Sequence, residues 1–332
     1  MGQLFLLGMP ATGSDQVSST IERLAPGGVF LTGRSAKGVS ATAAVASTVQ
    51  RLGTRASGGA GMFVATDQEG GQVQVLSGPG FARIPPATTQ GTWSPEALQA
   101  AATGWGRELR AAGINVNLAP VLDVYRQPGN FIDEFQRSYS SNAGTVAKLG
   151  AAFISAQQRV GVAATAKHFP GLGSATRSQN TDVVPVTLRT SLATLRAVDE
   201  APYVSAIAAG VKLVMTSWAV YPALDPHRPA GLSPTIIQNE LRGRLGFRGV
   251  TITDGIDAGA LAPFGGVGNR AVLAASAGAD LILCATTNPD DNTPAIGVAA
   301  RNAIASALAH HRLSTPGAEQ GAGRILALRK SP

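Results

Sequence analysis

Eight short apolar runs recur along the chain, each followed by a stretch with helical spacing of its apolar residues. The runs are Gln3–Met9, Gly28–Thr32, Gly61–Asp67, Ile114–Val121, Val162–His168, Val211–Trp218, Gly249–Asp254 and Ala279–Ala285. They are nearly continuous in apolar character, as strands covered on both faces are. Between them lie amphipathic stretches such as Ser14–Leu24, Pro95–Ala112, Ala143–Val160, Ser191–Ala209, Pro234–Leu245 and Asn269–Ala277. Ser14 and Ser94 are placed to cap helices, and Pro95 suits a first turn. Gly113 and Gly210 are placed to end theirs in a left-handed conformation. After Pro289 the pattern predicts a closing helix, Pro294–Leu313, and a short final one.

Eight alternations of strand and helix predict an α/β fold, a (β/α)8 barrel formed as a single domain over residues 1–332. The competing architecture is an open doubly wound sheet. Its Gly-rich turn after the first strand is missing, and Gly265-Gly266-Val267-Gly268 follows the seventh run instead and reads as a loop. The longest irregular stretches, Ser77–Ser94, Tyr125–Asn142 and Gly171–Pro185, all follow strand ends, so they are expected to crowd the face where barrels place active sites.

Charged residues are only 14% of the chain against 44% hydrophobic, which excludes a disordered polyelectrolyte. The formal net charge is +7, with no dense run of Lys or Arg, so the basic residues read first as diffuse solubilising charge and second as attraction to an acidic polymer or envelope. No basic stripe or stacking surface points to nucleic acid. The one cysteine, Cys284, reads as a buried strand residue and permits neither an internal disulfide nor a metal cluster. No apolar run reaches the roughly 18 residues of a membrane span. The start of the chain lacks the basic flank of a secretion signal, which leaves cytoplasm and cell envelope both open.

Several strand ends carry polar groups. Asp254 follows Thr251-Ile252-Thr253 directly, as a nucleophile, a sugar-binding acceptor or a helix-capping carboxylate. Asp67, at the head of Asp67-Gln68-Glu69-Gly70-Gly71, suits paired hydrogen bonds to vicinal hydroxyls. Asp123 is a third candidate or a buried loop organiser. Lys167 and His168 are neighbours that a regular strand would point to opposite sides. Lys167 is a hydroxyl donor or a Schiff-base lysine, and His168 a donor or proton carrier. Arg137 has a fork suited to carboxylate or sugar oxygens. His227, His310 and His311 sit in polar or terminal settings and receive no role. Trp218 is the best-placed aromatic for a sugar platform, with core packing as the plainer reading. No metal-binding constellation, phosphate loop or serine elbow is found, and no cofactor is expected.

Taken in order, these motifs resemble those of glycoside hydrolase family 3, specifically the single-domain β-N-acetylhexosaminidases of bacteria. The resemblance covers nearly the whole chain. It is carried by Gly2-Gln3-Leu4-Phe5, Gly27-Gly28-Val29-Phe30-Leu31, Asp67-Gln68-Glu69-Gly70-Gly71 and Asn117-Leu118-Ala119-Pro120-Val121-Leu122-Asp123-Val124. It continues through Arg137-Ser138-Tyr139, Lys167-His168-Phe169-Pro170-Gly171, Leu232-Ser233-Pro234, Leu245-Gly246-Phe247-Arg248-Gly249-Val250 and Thr253-Asp254. The resemblance implies retaining hydrolysis of a terminal β-linked N-acetylglucosamine, with peptidoglycan fragments as the substrate. It implies Asp254 as nucleophile, with Asp67, Arg137, Lys167 and His168 binding the sugar and Asp123 helping to shape the pocket.

The chain departs from the family pattern where proton transfer is carried. The family has Asp-Ser-His in the loop after its Lys-His-Phe-Pro-Gly motif, and that His is the acid/base. Here the loop Ser174–Pro185 contains no His. Counting forward puts Asn180 at its position; counting back from Pro185 puts Thr181 there, with Asp182 next to it. Leu172, Gln72, Trp218 and Gly255 depart at four further positions. Two roles are open for Asp182, acid/base or loop anchor. A carboxyl beside an ionised Asp254 has the pKa logic of an acid catalyst. Gly171 and Gly173 read as hinges of a mobile loop. Three activities compete with hydrolysis: amino-sugar binding with weak or lost catalysis, a related glycosidase or phosphorylase with another sugar preference, and a lyase or aldolase working through Lys167.

Overall fold

In the computed structural model, which describes residues 2–286 and 293–330, the eight apolar runs pair in one cyclic parallel order. The barrel strands are β1 (Phe5–Pro10), β2 (Gly28–Thr32), β3 (Phe63–Thr66), β4 (Val116–Asn117), β5 (Ala163–Phe169), β6 (Leu213–Thr216), β7 (Val250–Gly255) and β8 (Leu281–Cys284). Each neighbours the next in sequence, and β1 closes the ring on β8 with Phe5 opposite Ile282 and Leu7 opposite Cys284. This is the predicted (β/α)8 barrel, and the open sheet is excluded. The strands are buried on both faces, as their unbroken apolar character requires. Cys284 is among the buried strand residues.

The helix ends follow their local chemistry. Ser14 and Ser94 cap Asp15–Leu24 and Pro95–Ala111 through their hydroxyl oxygens, which accept from the Val17 and Ala97 amides. Gly113 and Gly210 take positive φ values of 78° and 74° where their helices stop. Elsewhere the structure differs from the pattern. A 19-residue helix, Gly38–Ala56, fills a stretch whose Ala, Ser and Thr give little contrast between faces. The predicted Ser191–Ala209 helix is broken into Leu192–Thr194, a π-helical turn at Leu195–Asp199 and Ala201–Ala208; Pro202 has no N–H for a continuous ladder. Thr235–Arg244 is likewise π-helical. Strand β4 is shorter than the predicted Ile114–Val121, but main-chain bonds from Leu118 to Thr66, Thr165 to Ala119 and Lys167 to Pro120 continue past it, and a bridge joins Val121 to Lys167. The last helices are Thr293–Ala309 and Thr315–Lys330, and 289–292 of the predicted tail lie outside the described residues. Among the described residues, no helix is long and apolar enough to cross a membrane.

Candidate active site

The carboxyl ends of the barrel strands open into a cavity of about 250 Å³. Asp67, Arg137, Lys167, His168, Asp182 and Asp254 all line it, and Phe30, Leu118, Met215 and Leu283 form its apolar side. Residues far apart in sequence meet here because each follows a different strand, the arrangement by which this architecture builds sites.

Lys167 is the hub of the polar wall. Only 3% of its side chain is exposed, and its Nζ lies 2.7 Å from both Asp67 Oδ1 and Glu69 Oε1. Glu69 also takes a two-pronged contact from Arg137, at 2.9 Å from Nε and 2.8 Å from Nη2. Burial alone would raise the Glu69 carboxyl, but Arg137 and Lys167 outweigh it and hold it down at about 2. Burial pushes Asp67 upward; Lys167 opposes that and Glu69 adds to it, and the net direction is up. The asymmetry follows from partner count: Glu69 has two cations, whereas Asp67 shares one. Burial would lower Lys167, but Asp67 and Glu69 together raise it. Lys167 is therefore held as an ammonium, which removes the Schiff-base reading, since that chemistry needs a lysine with a depressed pKa.

Lys167→Met leaves the half-buried Asp67 carboxylate without its cation and the buried Glu69 with Arg137 alone. The expected cost is about 3–5 kcal/mol of stability, the scale for one partner removed from a buried ion pair. Without the cation, Asp67, which has no other ion-pair partner among the described residues, is raised further in the folded state, so the cost is present at neutral pH and shrinks as pH falls and that carboxyl protonates. Urea unfolding of variant and wild type at pH 7 and pH 4 checks this; a gap that stays constant contradicts it.

His168 and Lys167 are joined by a cis peptide bond, and both side chains line the cavity, contrary to the opposite-sides expectation for a regular strand. The His168 ring is fixed from behind. Its Nδ1 lies 2.8 Å from Asp123 Oδ2, while Asp123 Oδ1 accepts from the backbone amides of His168 (3.3 Å) and Leu172 (2.7 Å). Asp123 has no exposed surface and does not line the cavity. Of the two readings of Asp123, a site carboxylate or a buried loop organiser, its contacts are those of the second: it organises the loop and orients His168, leaving Nε2 as the imidazole's group for the cavity.

Asp254 sits at the end of β7, partly exposed, with Oδ1 accepting from the next backbone amide, Gly255, at 2.8 Å. Asp182 reaches the same cavity from the 171–185 loop. That loop is pinned by main-chain and neighbouring groups. The carbonyls of Thr181 and Asp182 accept from Ala260 and Gly259, and the Asp182 amide donates to Asn180 Oδ1. A side chain on Gly259 would meet the Val183 carbonyl at 2.1 Å, so only glycine allows this approach. Among the described residues the Asp182 carboxylate makes no hydrogen bond or ion pair, so the anchoring of this loop does not use it. Burial first, and the Asp254 carboxylate second, push Asp182 up to about 6, against the pull of Arg137 and His168. The residue is exposed at the cavity mouth, which moderates that shift.

Gly171 and Gly173, read from sequence as hinges, both stand at close approaches of the backbone. A Cβ on Gly171 would stand 2.8 Å from Asp199 Cβ, and one on Gly173 1.8 Å from the Val124 carbonyl oxygen. The Gly173 carbonyl also accepts from Arg126 N and Asn130 Nδ2. These glycines let the loop base pack tightly. Trp218 is 1% exposed, donates from Nε1 to the Gly255 carbonyl and packs on Gly231, so it is core and no platform.

Two residues of the site were not singled out from sequence. Glu69, the pairing partner of both cations, had its signal in the Asp-Gln-Glu-Gly-Gly run. Asp257, three residues after Asp254, also lines the cavity and adds to the rise of Asp182. Among the described residues, no group of three His, Cys, Asp or Glu is arranged to hold a metal ion.

The glycosyl hydrolase family 3 N-terminal domain matches residues 1–328. The chain belongs to that family. It is a glycosidase of the β-N-acetylhexosaminidase group. A secreted glycosyl hydrolase of uncharacterised activity from Arthroderma benhamiae is 47% identical over 275 residues, 80% of this chain and 74% of that protein. A beta-hexosaminidase from Stenotrophomonas maltophilia is 38% identical over 231 residues, 67% of this chain and 66% of that protein. The crystal structure of a beta-N-acetylhexosaminidase from Beutenbergia cavernae superposes with a TM-score of 0.91 at 41% identity, covering 99% of this chain and 96% of that one.

Proposed function

We propose that this glycosidase removes single terminal β-linked N-acetylglucosamine residues with retention of configuration, and that peptidoglycan fragments are its substrate. The observation that carries the reading is the pairing of Asp254 with Asp182 in one cavity, the second carboxyl raised toward 6 by burial and by the first. A raised carboxyl beside a second one supplies an acid/base next to a nucleophile. Asp254 attacks the anomeric carbon while Asp182 donates its proton to the glycosidic oxygen, and the aglycone leaves as an alcohol. Asp182, now ionised, takes a proton from water as that water displaces Asp254. Two inversions restore the β configuration. Lys167, Asp67, Arg137 and His168 hold the sugar hydroxyls.

The exo mode is supported by size. Drug-sized ligands occupy pockets of roughly 300–1,000 Å³, so a cavity of about 250 Å³ suits one sugar residue and no internal stretch of polymer. Proton NMR of the first-formed product from the nitrophenyl β-glycoside of N-acetylglucosamine tests the mechanism. Retention gives the β anomer before mutarotation; the α anomer first overturns it.

A further inference from the structure

We infer that the face opposite the active site is a docking surface for a linear anionic glycan. Three hollows lie there, at the amino ends of the strands. The largest, about 700 Å³, is lined by Arg242, Arg248, Arg312 and Arg324, with Asp280 as its one carboxylate. The second, about 460 Å³, shares Arg248 and Arg324 and adds Lys212. The third, about 140 Å³, shares Lys212 and adds Arg110 and Arg329. Shared walls make the three one continuous band, with seven basic side chains against one side-chain carboxylate among the described residues. The charge that looks scattered in sequence is thus gathered by the fold, and this band carries most of the net +7.

Asp280 offsets one of the seven charges, from within the wall. Its Oδ1 accepts from Arg324 Nη2 at 2.7 Å; its Oδ2 accepts from Arg242 Nη2 at 2.6 Å, Arg324 Nε at 3.1 Å and the Thr251 amide at 2.9 Å. Both oxygens are already engaged inside the wall. Glu319, on the same final helix as Arg324, lines none of the three hollows. Burial lowers the Arg242 pKa, and Arg324 and Arg248 lower it further against the pull of Asp280, so the cations repel one another. An anion laid across them relieves that repulsion.

Helix macrodipoles explain only part of the band. Helices of this fold end at this face, and cations in a last turn complement the negative helix end. That covers Arg110, Arg242 and Arg329. Lys212, Arg248 and Arg312 lie beyond helix ends, and Arg324 is two turns before its own. Arg110, Lys212, Arg248 and Arg312 are exposed, so their charge is presented to solvent. Arginine forks spaced along a groove fit carboxylate or sulfate groups repeated along a chain. A glycan is the chosen polyanion because the opposite face is read as cleaving glycans, and on that reading this proposal rests. Docking there would hold the enzyme on an acidic polymer without occupying the catalytic cavity.

The test is binding of polygalacturonate, a linear glycan with a carboxylate on each residue, to the full chain. Affinity is expected to fall steeply between about 20 and 300 mM NaCl. The double variant Arg248→Glu/Arg312→Glu is expected to bind at least about tenfold more weakly, as lost charge pairs at an interface do, with nitrophenyl glycoside turnover unchanged. Arg248→Gln/Arg312→Gln gives an intermediate loss and covers misfolding of the Glu form. Asp254→Asn should bind as wild type does. Any of four results overturns the proposal: full affinity in both double variants, equal binding of neutral dextran, tighter binding of duplex DNA, or loss of binding in Asp254→Asn. Because the readout is binding, a failed hydrolysis assay with intact polymer binding sinks the catalytic reading alone.

Discussion

Asp254→Asn lowers kcat on the nitrophenyl β-glycoside of N-acetylglucosamine by at least about 10⁴-fold, the scale of loss when an enzyme's nucleophile is removed. By transition-state arithmetic that is about 5.4 kcal/mol. The fold survives for a stated reason. Among the described residues, the one backbone group that Asp254 binds is the Gly255 amide, through Oδ1, and the carbonyl of Asn accepts the same bond. The residue is partly exposed, so no charge is removed from a sealed core. The variant therefore unfolds at wild-type temperature and still binds N-acetylglucosamine through Lys167, Asp67 and Arg137. It also relieves Asp182, whose carboxyl falls back toward the ordinary range once its anionic neighbour is gone. Steady-state kinetics with a calorimetric titration of the free sugar checks all three points. Activity within about tenfold of wild type, far above what loss of a nucleophile leaves, assigns the nucleophile elsewhere.

The barrel was legible in sequence because its signal is repeated. Eight apolar runs of strand length, each followed by a helical period, leave few other topologies, and the polar groups at their ends lie where a barrel puts them. What was not legible depends on relations between distant residues. Glu69 stands in a motif beside Asp67, yet only the fold shows that it holds both Lys167 and Arg137, partners 98 and 68 residues away. Asp123 reads as one more strand-end carboxylate, and its burial behind His168 depends on how the Gly171–Gly173 segment packs. Glycine in a sequence signals freedom or close approach alike; Gly173 and Gly259 are cases of close approach. The basic face was hidden for the same reason, since its cations come from five separate stretches of chain.

Asp182→Asn separates substrates by their need for a proton. With an unactivated N-acetylglucosamine disaccharide, kcat/KM falls by about 10²–10⁴, the usual contribution of a positioned acid. With the nitrophenyl glycoside, whose leaving group departs without help, kcat/KM changes little. Its kcat still falls, because the same carboxylate activates water in the second step; a burst of nitrophenol then precedes a slow steady state. Azide, which needs no base, restores kcat and yields the glycosyl azide. The pH dependence carries its own sign. The working form of Asp182 in the first step is the acid, so kcat/KM on the disaccharide declines as pH rises through about 6, and that limb vanishes in the variant. Stability moves the other way. A carboxyl whose folded pKa is raised above its unfolded value opposes folding once pH exceeds the unfolded value, and most fully above the folded one. Asp182→Asn is therefore expected to raise Tm at pH 7 and leave it unchanged near pH 3. A structural anchor would behave oppositely, losing stability at neutral pH and slowing both substrates alike, so one variant and two substrates distinguish the roles.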